Sequence, residues 1–331
     1  MSVPTDPHAP SDALTRFEAE RSHLFAVAYR MLGSRAEAED ILQEAYLRWA
    51  ERETTDESDV ESDRAFLTTV VVRLSIDHLK SARARRERYV GPWLPEPLVA
   101  RGVPSLSPSG ASSGSGSGEL GPEGRVALAE SLSLAFLTLL ERLSPSERAA
   151  FLLREVFDQP YERVAEILGI GEQACRKLVS RAREHIDANR PRFPASAEKK
   201  QELLLAFLGA CASGDAGALG NLLAADVVAR SDGGGKTMAA LKPVLGSDRV
   251  ARLLLGIMKK WPPNGVAELA TVNGEPGIIV RDETGVRLVV VLTVDDERIG
   301  NVWIVVNPDK LAHALDATDA TGATEHAHRL N

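Results

Sequence analysis

The chain has 331 residues, enough for two or three domains each with its own core. Its composition, 44% hydrophobic and 26% charged, is that of ordinary globular protein, and its longest apolar runs, such as residues 288–291, are far too short to cross a bilayer. A net charge of −8 argues against a protein that binds DNA unaided, because such proteins usually carry a basic surplus. Residues 1–11 are polar and proline-bearing with no apolar core, so no signal peptide and a cytoplasmic address are expected. The two cysteines, Cys175 and Cys211, lack metal or disulfide spacing and read as buried small hydrophobes.

Residues 12–89 read as helices almost throughout. Leu14, Phe17, Leu24, Val27, Ala28 and Met31 recur at three- and four-residue spacing, the mark of an apolar helix face. Gly33 is placed to end that helix and Ser34 to cap the next, which carries Ile41, Leu42, Ala45 and Trp49. On this second helix Asp40, Gln43, Glu44 and Leu47 fall on one face. Carboxylates, an amide and an apolar residue together suit a partner helix bearing arginine and hydrophobes. A basic stretch follows, with Arg73, Lys80, Arg83, Arg85, Arg86 and Arg88. With Phe66 near its start, such a helix can hold single-stranded DNA by phosphate contacts and stacking. The loop 53–63 would then sit where an unstacked base is captured.

Residues 102–124 are Ser/Gly/Pro-rich and read as a flexible linker averaging about 25 Å end to end, which lets two domains bind separated sites. Helical periodicity returns over 126–186. Ser144, Pro145 and Glu147 have the N-cap, N1 and N3 pattern of a helix start. Beyond them, Val164, Leu168, Ile170, Cys175 and Leu178 supply apolar positions around a small residue, Ala165, and a turn at Gly169. This is a helix-turn-helix pattern. Its second helix, from about Glu172, would expose Gln173, Arg176, Lys177, Ser180 and Arg181, types that reach base edges and phosphates in a major groove. An acidic chain with two basic stripes suits a subunit that meets DNA inside a larger complex.

The last domain, 197–315, changes character. A helix over 203–212, an irregular middle and a helix over 250–259 precede β-rich runs at 269–273, 277–281, 286–294 and 298–306, separated by turn residues. That order predicts an α+β domain with an antiparallel meander. The tail 316–331 is polar and expected to be disordered. Gly235-Lys236-Thr237 matches the end of a phosphate-binding loop, but Arg230 stands where its first glycine is required, so phosphate binding is not expected. The glycines instead allow close backbone approach to another surface, with Asp232 and Lys236 fixing it. Trp303 reads as core rather than pocket lining. Asp232, Asp295, Asp296 and His313 show no acid/base spacing, so catalysis is not expected.

Three groups of residues carry a family resemblance. Asp40-Ile-Leu-Gln-Glu44 with Ala45-Tyr-Leu-Arg-Trp49, then Phe66 to Leu74 and Asp77-His-Leu-Lys80, are similar to region two of bacterial sigma factors. Leu143 to Arg148, the helix-turn-helix and Val179 to Arg183 resemble region four. The family often has Trp where Phe66 stands, Asn where Leu74 stands and a basic or polar residue where Leu178 stands. Finally, Trp93, Leu94, Pro95, Glu96 and Pro97 after Gly91-Pro92, then Asp232, Gly233, Gly234, Gly235 and Lys236, then Asn307, Pro308, Asp309 and Lys310, occur in an order that narrows the match. They look like the extracytoplasmic-function (ECF) subgroup with a fused SnoaL-like domain.

The resemblance, spanning residues 12–315, implies a multidomain chain. Two all-α sigma domains, region two over 12–98 and region four over 125–192, would be joined by a linker at 99–124. A C-terminal α+β cone of the NTF2 type would fill 197–315. It also implies core RNA polymerase as partner, with Asp40, Gln43, Glu44 and Leu47 meeting the β′ clamp helices and region four the β flap. Promoter DNA would be held at −10 by Arg73, Asp77, Lys80, Arg83, Arg85 and Arg86, and at −35 by Gln173, Arg176, Lys177, Ser180 and Arg181. The fused domain would regulate in cis where relatives use a separate anti-sigma factor, its 232–236 loop touching the Trp93–Pro97 segment. No membrane, cofactor or metal is implied. Two other classes compete: a stand-alone regulator with a ligand-sensing domain, and an enzyme with a polyketide-cyclase-like domain. The regulator needs neither the Asp40–Glu44 face nor the basic helix, and the enzyme needs a catalytic set that the sequence does not show.

Overall fold

In the computed structural model the described residues are 12–54, 62–86, 89–101, 131–188, 195–260, 264–295, 297–312 and 314. The linker from 102 onward, the tail, most of the 53–63 loop, Asp296 and His313 lie outside them. The chain separates into two compact units.

The first unit takes residues up to 84 and from 143 to 185. Helices α1 (Asp12–Leu32), α2 (Arg35–Thr54) and α3 (Asp63–Arg86) form its first part. Phe17, Leu24, Val27, Met31 and Leu32 of α1 are buried with Ile41, Leu42, Ala45 and Trp49 of α2. The Trp49 indole N–H donates to the Ala13 carbonyl at 3.0 Å. Gly33 ends α1 at φ +69, and the Ser34 hydroxyl accepts from the Glu37 N–H, as the sequence pattern predicts.

The second part of this unit holds α5 (Pro145–Phe151), which runs into a π-helical turn at Leu152–Val156, then α6 (Tyr161–Leu168) and α7 (Glu172–Asp187); α4 (Leu134–Leu140) belongs to the other unit. Ser144 and Glu147 make the reciprocal capping box that starts α5. Gly169 closes α6 in the left-handed region at φ +67, the turn that aims α7 across it. The buried stripe differs in part from the predicted one: Val164 and Cys175 are buried as expected, but Ile167, Val179, Ala182 and Ile186 complete it. Leu168, Ile170 and Leu178 are only half-buried. The 175–179–182–186 row follows the four- and three-residue helix repeat, and Leu178 lies one position off it.

The second unit takes residues 85–112, 129–142 and 186 onward. It therefore draws in segments that the sequence boundaries assign to region two and region four. Among the described residues its centre is a seven-stranded mixed sheet in the order β1-β4-β5-β6-β7-β2-β3. Strands β4 (Val266–Val272), β5 (Glu275–Asp282), β6 (Gly285–Asp295) and β7 (Arg298–Val305) form the predicted antiparallel meander. The irregular middle is more ordered than the sequence suggests: α9 (Ala216–Leu222) leads into β2 (Leu223–Asp232), which pairs parallel to β7, and β3 (Val244–Leu245). The broken alternation of β2 and its bulge between Leu223 and Val228 hide it from a periodicity reading.

Alternating side chains give the sheet two apolar faces. One carries Val290, Val302 and Ile304 and is covered by α8 (Ala197–Ser213) and α10 (Ser247–Met258) through Leu204, Phe207, Val250 and Leu254. The other carries Val289, Val291, Trp303 and Val305 and is covered by Leu94, Val99, Leu134, Leu311 and Ala314. Leu94 and Val99 come from the stretch after α3, and Leu134 opens α4. Strand β1 (Val99–Arg101) extends the sheet by pairing antiparallel with β4.

Candidate polymerase and DNA surfaces and the interdomain clamp

Helix α2 buries one face, so its opposite face is free to meet a partner. Asp40, Gln43, Glu44 and Leu47 are all exposed there. Leu47 is 51% exposed, a large apolar side chain in water beside carboxylates. Glu44 holds Arg48 at 3.0 Å along the same helix.

On α3, Leu67, Val71, Val72, Ile76 and Leu79 are buried while Arg73, Asp77 and Lys80 are exposed along one side. The side chains of Arg83, Arg85 and Arg86 lie outside the described part. Phe66 stacks obliquely on Trp49, with ring centroids 5.8 Å apart, and lies under the Arg52 guanidinium. Its ring is engaged within the helical unit.

Helix α7 exposes Gln173, Arg176, Lys177, Ser180 and Arg181, as predicted. Arg176 is steadied by Glu172 and by the Tyr161 ring, 4.2 Å from its guanidinium carbon. Sequence reasoning misses how α3 and α6 engage each other. Arg73 donates to the carbonyls of Ile167 (3.0 Å) and Glu166 (3.3 Å) at the C-terminal end of α6, where the helix dipole favours a cation. Arg163 of α6 donates back to the Ala65 carbonyl (2.8 Å) and the Thr69 hydroxyl (3.1 Å) on α3. Buried Arg148 donates to the Met31 carbonyl at 2.6 Å. His23 lies edge-on to Phe157, and burial, helped by the Arg64 guanidinium, pulls its imidazole down to about 4.

The third group of predicted residues meets inside the second unit. The Asp232 carboxylate is wholly buried. Its Oδ2 accepts from Lys310 Nζ (2.8 Å) and the Leu94 N–H (2.8 Å). Its Oδ1 accepts from the Tyr89 hydroxyl (2.5 Å) and the Gly234 N–H (3.1 Å). Lys310 also donates to the Leu94 carbonyl, and its ammonium sits 4.1 Å from the Trp93 ring centroid and 5.2 Å from that of Tyr89. Asn307 completes the set, donating to the Tyr89 oxygen at 2.8 Å while capping α11 (Pro308–Leu311). Burial, and then the hydrogen bond to Asp232, raise the Tyr89 pKa, so the phenol stays a proton donor across the physiological range.

This clamp joins the predicted loop and segment, through different atoms than expected. Asp232 is the anchor, but Lys236 points away and pairs with Asp309 at 2.6 Å on the surface; the cation on Trp93 is Lys310. Two glycines are used for close approach: a Cβ on Gly234 would fall 2.4 Å from the Asn307 amide, and one on Gly235 3.1 Å from Val90. Leu94, Pro95, Glu96 and Pro97 are all buried. Tyr89 escaped the sequence reading because a tyrosine beside a basic helix gives no sign of its distant partner. Trp303 is core, its indole N–H donating to Thr293 at 2.8 Å. Both cysteines are buried, and burial pushes the Cys211 thiol up to about 12.

Family models for sigma-70 region 2 and sigma-70 region 4 match residues 16–85 and 133–186. The ECF RNA polymerase sigma factor SigJ of Mycobacterium tuberculosis is 39% identical over 307 residues, covering 90% of this chain and 92% of that protein. The chain belongs to the ECF sigma factors. The probable ECF sigma factor SigI of the same species is 33% identical, covering 92% of this chain and 96% of SigI. The crystal structure of SigJ superposes with a TM-score of 0.69 at 36% identity, covering 91% of this chain and 99% of that one. Like other members, this sigma factor binds core RNA polymerase and promoter DNA and directs transcription initiation; it is not an enzyme. The stand-alone regulator and the enzyme fall away. Among the described residues no helix is long and apolar enough to cross a membrane.

Proposed function

We propose that the C-terminal domain regulates this sigma factor in cis by gripping the chain on both sides of the linker, without need of a separate anti-sigma factor. The observation that carries this reading is the buried Asp232–Lys310 pair closed over Tyr89, Trp93 and Leu94. A charge pair in a dry site is stable only while every partner is present, so the clamp is held or released as a whole. In the open form, Asp40, Gln43, Glu44 and Leu47 dock on the β′ clamp helices and region four meets the β flap. Arg73, Asp77 and Lys80, continued by Arg83, Arg85 and Arg86, then hold the −10 DNA, while Gln173, Arg176, Lys177, Ser180 and Arg181 read the −35 element.

The closed contacts oppose that state. Arg73 cannot serve a phosphate and the α6 carbonyls at once. Elements centred at −10 and −35 lie about 25 base pairs apart, roughly 85 Å along the duplex at 3.4 Å per step. Chain segments tied to one small domain on both sides of the linker oppose that separation. Release of the grip is therefore the activating step. Run-off transcription with purified core polymerase tests this, comparing the full chain with one ending after Arg192. More specific transcript from the shortened chain is the expected result; less would make the fused domain a required positive element and overturn the inhibitory reading.

A further inference from the structure

Asn273 follows β4 in a two-residue hairpin with Gly274, both at positive φ. An Asn-Gly turn accounts for its backbone, but not for its side chain, which is only 2% exposed. The Asn273 N–H donates to the Leu98 carbonyl (2.8 Å), and Oδ1 accepts from the Leu98 N–H (2.9 Å). Nδ2 donates to the Leu132 carbonyl (2.9 Å). Leu98 precedes the linker and Leu132 follows it. One carboxamide thus spans both ends, and the amide orientation is fixed because Leu98 offers a donor and Leu132 an acceptor. Next to Leu132, Ser133 caps α4 by accepting from the Phe136 N–H, and Leu134 is fully buried on the same sheet face as Leu94 and Val99. The first helix of region four therefore starts from the third domain.

We propose that Asn273 is a joint that makes the two linker ends dock on and leave the third domain together, so that the hold on region two and the hold on region four are one event. The two contacts share a single planar group: when one segment leaves, the amide loses its fixed orientation and a buried partner, and the other contact weakens. Its regulatory consequence rests on the cis-regulation reading; the coupling itself does not.

Amide hydrogen exchange on the full-length protein tests the coupling. N273D keeps the acceptor for Leu98 and the backbone donor but loses the donor to Leu132; N273G keeps the left-handed turn and removes both side-chain contacts. The expected result for N273D is exchange at least about tenfold faster both at the Phe136 and Leu137 amides and at the Leu94 and Leu98 amides, since one buried hydrogen bond is lost and the new carboxylate faces the Leu132 carbonyl. N273G should accelerate both segments at least as much, while protection in β6 and β7 stays at the parent level and reports an intact sheet. Acceleration confined to 133–137 in N273D, or unchanged protection of both segments in N273G, overturns the joint. Run-off transcription separates the two readings. Coupled exchange with unchanged transcription keeps the joint and removes its regulatory consequence, whereas altered transcription with uncoupled exchange removes the joint alone.

Discussion

Replacing Asp232 by alanine should destabilise the C-terminal unit by about 3–5 kcal/mol, the cost of stranding a buried charge whose partner is lost. The stranded group is Lys310, half-enclosed by Trp93 and Tyr89 and pointing at the vacated site. Leu94 and Tyr89 lose their acceptor in the same step, so residues 89–98 should lose their hydrogen-exchange protection first. Adding K310M should recover more than half of the loss, because an apolar chain of similar length can fill the space without a charge. Denaturant unfolding of the two single variants and the double variant measures the coupling. A double variant as unstable as D232A would show that packing of the 232–236 turn, and not the ion pair, holds the clamp. If the grip is inhibitory, D232A/K310M should also transcribe above the parent level, since it keeps the fold while holding residues 89–98 less tightly than the parent.

Replacing Leu47 by aspartate should weaken binding to core polymerase by about 30-fold or more, the effect of losing a central apolar anchor worth about 2 kcal/mol. The same change should leave stability within about 0.5 kcal/mol, because the side chain makes no part of the core. D40K should act in the same direction, and with a stronger salt dependence, through charge reversal at an exposed site. Fluorescence titration of labelled protein against core polymerase checks both. Parent-level affinity for L47D would remove this face from the docking surface.

These residues also show where the sequence was sufficient. The α2 face was legible because burial of Ile41, Leu42, Ala45 and Trp49 dictates which side chains point outward, and helix periodicity alone provides that. The capping box at Ser144 and the turn at Gly169 were legible for the same local reason. The clamp was legible as a set of loops but not as a set of atoms. Lys236 and Lys310 are both lysines beside conspicuous motifs, and only the fold decides that Lys310 turns inward to Asp232 while Lys236 meets Asp309 at the surface. Asn273 was hidden further, since an Asn-Gly turn explains its presence with no reference to the linker. Domain boundaries were least legible. Composition marks where a linker begins, but residues 89–101 and 131–142 join the third domain through partners far away in the chain.

If the third domain must release the linker for transcription to start, a reversible lock between β1 and β4 must stop it. Ala100 of β1 and Thr271 of β4 are cross-strand partners, a spacing within reach of a disulfide. The native Cys175 and Cys211 are buried and do not compete. The measurement is run-off transcription by the A100C/T271C variant with core polymerase, oxidised and then reduced. The oxidised protein should fall to background and the reduced protein should return to the parent level. Equal transcription in the two states would show that the sigma factor works with its linker still seated on the sheet, and the cis-inhibition account would be wrong.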